Sequence, residues 1–291
     1  MKRTTNRRSI LRSLAALPVA ATTGLTSGAE SGIGRLLGIG ACDWTLRLAA
    51  QPASLDLAKR IGLDGVQVDF GQEPQAGVKL PLHDEKLQDQ FLAKSAELGV
   101  KVPSLALGVL NKVAYKSDAN AEQWVLDSVP VAKRMKTPVV LLAFFSNGDL
   151  RNDEPGIEAV IAKLKKLAPV AADAGIVYGI ESWLKVPVLE RMLDAVNSPA
   201  VKVYYDVGNM HKEGEDIHAA VRRLGRERIC ELHAKDYDGL YGQGSIDFAK
   251  VRADVDATGF TGWMHIEGVK IPNGVEQDIR FDLEHLRKVF A

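Results

Sequence analysis

Between residues 176 and 268 the chain passes through four short apolar segments, IVYGIESW, VKVYYDVGN, RICELHAKD and GWMHIEG. Each carries one metal-competent side chain near its end: Glu181, Asp206, His233 and Glu267. These are separated by 25, 27 and 34 residues, each interval about one strand plus one helix. That rhythm predicts parallel strands joined by right-handed helical crossovers. If the strands are neighbours in a barrel, all four side chains reach one rim. Three carboxylates and one imidazole converging there form a donor set suited to a divalent cation. One strand ending in Glu or Asp is ordinary, and the competing reading is four unrelated polar strand ends. Four in consecutive units favour the metal site.

The rest of the chain extends the alternation. GIGACDWTL from Gly38 reads as a first strand, with Ser54 as the cap and Gly62 as the stop of the helix LDLAKRIG. GVQVDF from Gly65 is a second strand, followed by a helix over 86–98 that Gly99 ends. Residues 102–110 form a third strand, and Ala121, Trp124, Val125, Ser128, Val129 and Ala132 mark one helix face. VVLLAFF at 139–145 is a continuous apolar run, as in a strand buried on both faces. Ile157, Val160, Ile161, Leu164 and Ala168 recur at helical spacing before Gly175. Helices near 187–197, 214–225 and 247–258 separate the last four strands, Asp247 capping the third. Ile279, Leu283, Leu286 and Phe290 give a final helix. Eight strand–helix units over 38–291 predict a single-domain α/β fold, a closed (β/α)8 barrel of the TIM type. No G-x-G-x-x-G follows a strand, which argues against an open doubly wound sheet. The long polar loops at 72–84, 111–118 and 146–154 would line the barrel mouth.

Charge narrows the partners. Basic and acidic residues number 37 each, so nothing global favours nucleic acid. The two cysteines, Cys42 and Cys230, fall in predicted strands one and seven and are expected as buried free thiols. Residues 1–29 read as an export signal rather than fold, with 30–37 as linker. Lys2, Arg3, Arg7 and Arg8 form a basic head, and residues 10–21 are apolar but too short to span a bilayer. Ser27-Gly28-Ala29 suits a cleavage site, and Asn6 to Arg12 resembles the twin-arginine signal. The expectation is passage through the twin-arginine machinery to the periplasm, without a membrane anchor. The alternative is a disordered basic tail.

The series IES, YYDVGN, ELHAKD and HIEG, with GQGSIDF after the seventh strand, resembles the sugar isomerase/epimerase family of xylose-isomerase-like barrels. The resemblance covers about 38–291 and is most specific over 176–268. It implies a Mn²⁺, Mg²⁺, Co²⁺ or Zn²⁺ ion held by Glu181, Asp206, His233 and Glu267, with Mn²⁺ or Mg²⁺ favoured by the oxygen-rich set. It also implies that Glu181 and Glu267 move protons on a sugar through an enediolate. Three contacts of the family's ketose 3-epimerases are replaced, by Asn209, Gly239 and Pro187.

Other residues carry two readings each. Lys235 either neutralises substrate charge or pairs with Asp236 or Asp238. Trp44, Phe145 and Trp183 either pack the core or form a sugar-stacking wall. His83 and Lys112 are candidate substrate contacts from mouth loops, Asn209 is another at the sixth strand, and His211 reads as a surface residue. The same metal and bases would also serve a lyase, hydrolase or dehydratase acting on keto-sugars or 3-keto-glycosides. A sugar-binding barrel without turnover is the remaining alternative. Six histidines and zero net charge argue against a multi-zinc endonuclease of the same superfamily.

Overall fold

The structure is a computed structural model that describes residues 34–74, 79–268 and 270–291. The proposed export signal lies outside those residues. The described part is one compact unit.

Eight parallel strands close a barrel in sequence order. They are β1 (Arg35–Cys42), β2 (Gly65–Asp69), β3 (Ser104–Leu107), β4 (Val139–Phe144), β5 (Val177–Ser182), β6 (Val201–Asp206), β7 (Ile229–Ala234) and β8 (Thr261–Ile266). Around them lie α1 (Ala53–Ile61), α2 (Glu85–Leu98), α3 (Ala119–Met135), α4 (Glu154–Ala174), α5 (Val186–Val196), α6 (Val207–Lys212), α7 (Ile217–Arg228), α8 (Phe248–Thr258) and α9 (Val275–Phe290). Every residue of β4 is buried, because helices cover one face and the barrel interior fills the other. β1 closes on β8 with Gly40 opposite His265. A side chain at Gly40 would lie 2.7 Å from the His265 ring and 2.8 Å from the Gly65 carbonyl, so the seam requires glycine there.

The helix boundaries follow local chemistry. Gly62 and Gly99 end α1 and α2 at φ 97° and 70°, a left-handed conformation that glycine takes without strain. Asp247 caps α8, accepting from the Ala249 and Lys250 amides at 3.1 and 3.2 Å.

Several sequence expectations shift. Ser54 is not a cap: Pro52, with its fixed φ of −57°, holds that position, and Ser54 is buried within α1. β1 begins at Arg35, inside the stretch read as linker, because its register with β8 runs down to Thr261. β3 is shorter than expected and gives way to a tight turn at Gly108–Asn111. The helix expected at 214–225 is α7, capped by Asp216 and reaching Arg228, and an additional short helix, α6, precedes it and starts directly on the capping Asp206. Cys42 and Cys230 are free thiols on β1 and β7, with β8 between them, and Cys230 is only partly buried. Among the described residues no helix is long and apolar enough to cross a membrane.

Candidate metal centre

The four spaced residues stand at the C-terminal ends of β5 to β8. Glu181 is the penultimate residue of β5, Asp206 ends β6, His233 is penultimate in β7, and Glu267 follows β8. Register places Asp206 beside His233. One ligand atom from each of the four lies within 4.8 Å of the others. Asp206 and His233 are 2% and 0% exposed, at the base of the cluster.

Each side chain is aimed by a second contact. Asp206 Oδ1 accepts the Asn209 amide at 2.8 Å as the α6 cap, leaving Oδ2 to face the cluster. His233 Nε2 lies 2.8 Å from Gln67 Oε1, which can only accept. Nε2 therefore carries the proton, and Nδ1 points at Glu181 Oε1, 3.1 Å away, and Asp206 Oδ2, 3.8 Å away. The Trp44 indole N–H donates to Glu267 Oε1 at 3.0 Å. Asn209 Nδ2 donates to Glu181 Oε1 at 3.3 Å.

Lys235 enters the same cluster. Its ammonium forms ion pairs with Asp206 Oδ2, at 3.0 Å, and with Glu267 Oε2. These take the place of the expected alternative pairing with Asp236 or Asp238. Burial pushes Asp206 up to about 7, against the pull of Lys235. For Glu267 burial acts the same way, but Lys235 and His233 outweigh it and hold the carboxyl down at about 2. Burial opposes charge on His233, yet the carboxylates, Glu181 foremost, raise it.

The residues fit a divalent cation. Three carboxylates meet with one lysine to offset them, and Asp206 Oδ2 and Glu267 Oε2 are buried without a well-formed hydrogen bond. Oxygen-rich ligation with one imidazole suits Mn²⁺ or Mg²⁺ and admits Co²⁺ or Zn²⁺. A cation here would replace the Nδ1 proton of His233.

Above the cluster opens a cavity of about 440 Å³, within the range of small-molecule sites. Glu181, Glu267, Asn209 and Lys235 line it together with Trp44, Phe145 and Trp183. The Phe145 and Trp183 rings meet edge to face at 5.0 Å, and Arg151 lies 4.2 Å over the Trp183 ring. Gln72, Asn111 and Ser146, one from each long loop, complete the mouth.

Two candidates lie elsewhere. His83 is not in the cavity: its Nδ1 accepts the Leu80 amide at 3.0 Å and its ring lies 5.2 Å from Phe70, beside a hollow shared with Asp127 and Arg134. The turn Pro81–His83 that carries it packs against α2, with Gln88 Nε2 donating to the Leu82 carbonyl at 2.9 Å. Lys112 is exposed and paired with Glu73 at 3.1 Å. His211 lines an outer hollow with Lys212. Gln67, Asp69 and Tyr237 are contributors that the sequence reading passed over. Asp69 ends GVQVD as the ligands end their strands, so the same signal was present.

The family described as xylose isomerase-like TIM barrel matches residues 55–289. A 2-epi-5-epi-valiolone 7-phosphate 2-epimerase from Actinoplanes is 27% identical over 199 residues, 68% of this chain and 72% of that one. Among solved structures, the 3-keto-D-glucoside 4-epimerase of E. coli superposes with a TM-score of 0.72 at 17% identity, covering 86% of this chain and 99% of that one. The D-psicose 3-epimerase of Clostridium cellulolyticum H10, solved with D-tagatose, gives 0.69 at 14% identity, covering 87% and 99%. At these identities the two structures speak for the fold alone. The first match spans most of the chain, and the protein therefore belongs to the xylose isomerase-like TIM barrel family.

Proposed function

We propose that the protein is a divalent-metal-dependent sugar epimerase or isomerase that works by proton transfer through an enediolate. The observation that carries this is the division of labour among the four ligands. Glu181 and Glu267 line the cavity, whereas Asp206 and His233 do not. The two glutamates enter from β5 and from beyond β8, with β6 and β7 between them. A sugar in the cavity therefore meets a carboxylate on each of two sides.

One carboxylate removes the proton from the carbon next to a carbonyl. The C–H electron pair becomes the new C=C bond, and the carbonyl pair moves onto oxygen. The second carboxyl group, carrying a proton taken up from solvent, returns it to the same carbon from the other side, or to its neighbour, as the oxygen pair re-forms the carbonyl. A divalent cation held by these four residues would supply Lewis-acid stabilisation of the negative charge that develops on the substrate. Lys235, between Asp206 and Glu267, adds fixed positive charge where the enediolate forms. The Trp44 indole fixes the rotamer of Glu267, and Asn209 fixes that of Glu181. The name of the Actinoplanes relative supports the reaction class.

The test is turnover in D₂O by the metal-loaded protein. Solvent deuterium should appear on the carbon that changes. Glu181→Gln and Glu267→Gln should each lower turnover by about 10²–10⁴-fold, the usual loss of a general base, with metal still bound. Product free of deuterium, or full activity in both variants, would reject the mechanism.

A further inference from the structure

The wall of the cavity facing the ligand cluster carries a carboxyl group. Asp69 ends β2, four strands round the barrel from β6. It lines the cavity yet is only 2% exposed. Its position is fixed from three directions. Oδ1 accepts the Gly71 amide at 2.7 Å, Oδ2 accepts the Gly108 amide at 3.1 Å, and Gln72 Nε2 reaches both oxygens at 3.3 and 3.4 Å. Gly108 makes room for it, since a β-carbon there would lie 2.4 Å from Oδ2. A carboxyl group offers about four acceptor sites, so this held group keeps capacity for a ligand hydroxyl.

The cavity is poor in free positive charge. Lys235 is the one cation among the described residues that line it, and it is already paired with Asp206 and Glu267. Outside that lining, Arg151 lies 4.2 Å over the Trp183 ring and is paired with Asp149 and Glu213, and Lys112 is paired with Glu73. Lys212 lies 4.5 Å over the Tyr237 ring and lines the outer hollow, not the cavity. Residues 75–78 and 269 are Gln, Ala, Gly, Val and Val, and add no charge. With a divalent cation bound, the three carboxylates, Lys235 and the ion would sum to about zero. A phosphate brings about −1.5 to −2 charges and needs cations or amide donors. This cavity has neutral donors in Gln72, Asn111 and Ser146 but no free cation among the described residues that line it, and it sets the carboxyl of Asp69 among those donors.

We propose that the substrate is an uncharged sugar, bearing no phosphate or carboxylate, and that Asp69 braced by Gln72 selects it by accepting a hydroxyl hydrogen at the end remote from the metal ligands. The proposal takes the cavity as the sugar site, as the epimerase reading does, and adds the substrate class. It departs from the Actinoplanes relative, whose name specifies a phosphate.

The experiment is calorimetric titration of the metal-loaded full chain with free ketopentoses, ketohexoses and keto-glycosides and with their terminal phosphates. The tightest ligand should be unphosphorylated, and its terminal phosphate should bind at least about tenfold more weakly, as like-charge juxtaposition requires. Asp69→Asn should weaken the uncharged sugar by roughly tenfold, the loss of a hydrogen bond to a charged acceptor, with metal content unchanged. Gln72→Leu, at a half-exposed position, should act in the same direction more weakly. Equal or tighter binding of the phosphates would overturn the proposal. So would an unchanged affinity in both variants, or no binding by any uncharged sugar. Failure of the epimerase reading would show separately, as sugar binding without deuterium exchange.

Discussion

At the scale of single residues, the four candidate ligands were legible because each is a polar interruption at the end of an apolar strand. Gln67 was not, because it sits inside GVQVD, where a polar residue looks like an exposed face of an alternating strand. In the barrel it is fully buried and turns inward to His233. Its Oε1 also accepts from the Cys42 thiol at 3.3 Å. By fixing the proton on Nε2 it leaves Nδ1 for the cation, the arrangement that makes such outer contacts worth about 10–100-fold in metal affinity. Gln67→Leu should therefore weaken metal binding by roughly that factor, measured by chelator competition, and Gln67→Glu should restore it. Affinity unchanged in the leucine variant would show that His233 is oriented by other contacts. His83 failed for the opposite reason. Its loop begins at the mouth, and only the tertiary path of that loop shows where the imidazole ends.

At the scale of elements, the barrel strands could be read because burial on both faces leaves unbroken apolar runs such as VVLLAF. Less legible were the short helix α6 and the place where each strand stops, since these depend on cross-strand register and on a cap, Asp206, that also serves the site. α9 shows how element docking can cost stability. Asp282 faces the loop after β7, and its Oδ1 accepts the Tyr241 amide at 2.8 Å. Its Oδ2 is buried without a hydrogen-bond partner among the described residues. Burial is the main cause that raises this carboxyl from 3.8 to about 7, with Asp278 and Asp236 adding to it. Between those values the folded chain holds a proton that the unfolded chain has lost. The contribution of Asp282 to stability must then fall as pH rises from about 4 through 7. Asp282→Asn removes that titration. Relative to the parent it should gain at least about 1 kcal/mol between pH 5 and pH 8 in urea unfolding. A pH-independent difference between the two proteins would mean that Asp282 stays ionised in the fold.

At the scale of the whole molecule, the cluster joins half the barrel. β5, β6, β7 and the end of β8 each bring one donor, on neighbouring strands that backbone ladders and interior contacts such as Tyr204–Glu231 also join. The unfolded chain scatters those donors over the 87 positions from Glu181 to Glu267 and cannot assemble them. A cation that binds the folded chain alone therefore stabilises the entire barrel by mass action, by about 2.7 kcal/mol at a free concentration one hundred times its dissociation constant. For a domain of this size each kcal/mol moves the midpoint by about 2–4 °C. Melting should accordingly rise by about 5–10 °C when Mn²⁺ is added to chelator-treated protein at that excess, and should climb with the logarithm of its concentration. Asp206→Ala and His233→Ala should flatten that dependence, because each removes a buried donor that no neighbour replaces. Glu267→Gln should flatten it less, since the amide keeps an oxygen and the Trp44 contact that aims it. A Tm indifferent to Mn²⁺, Mg²⁺, Co²⁺ and Zn²⁺ alike would mean that Lys235 alone balances the carboxylates, and that the four residues form a buried ion-pair cluster instead of a metal site.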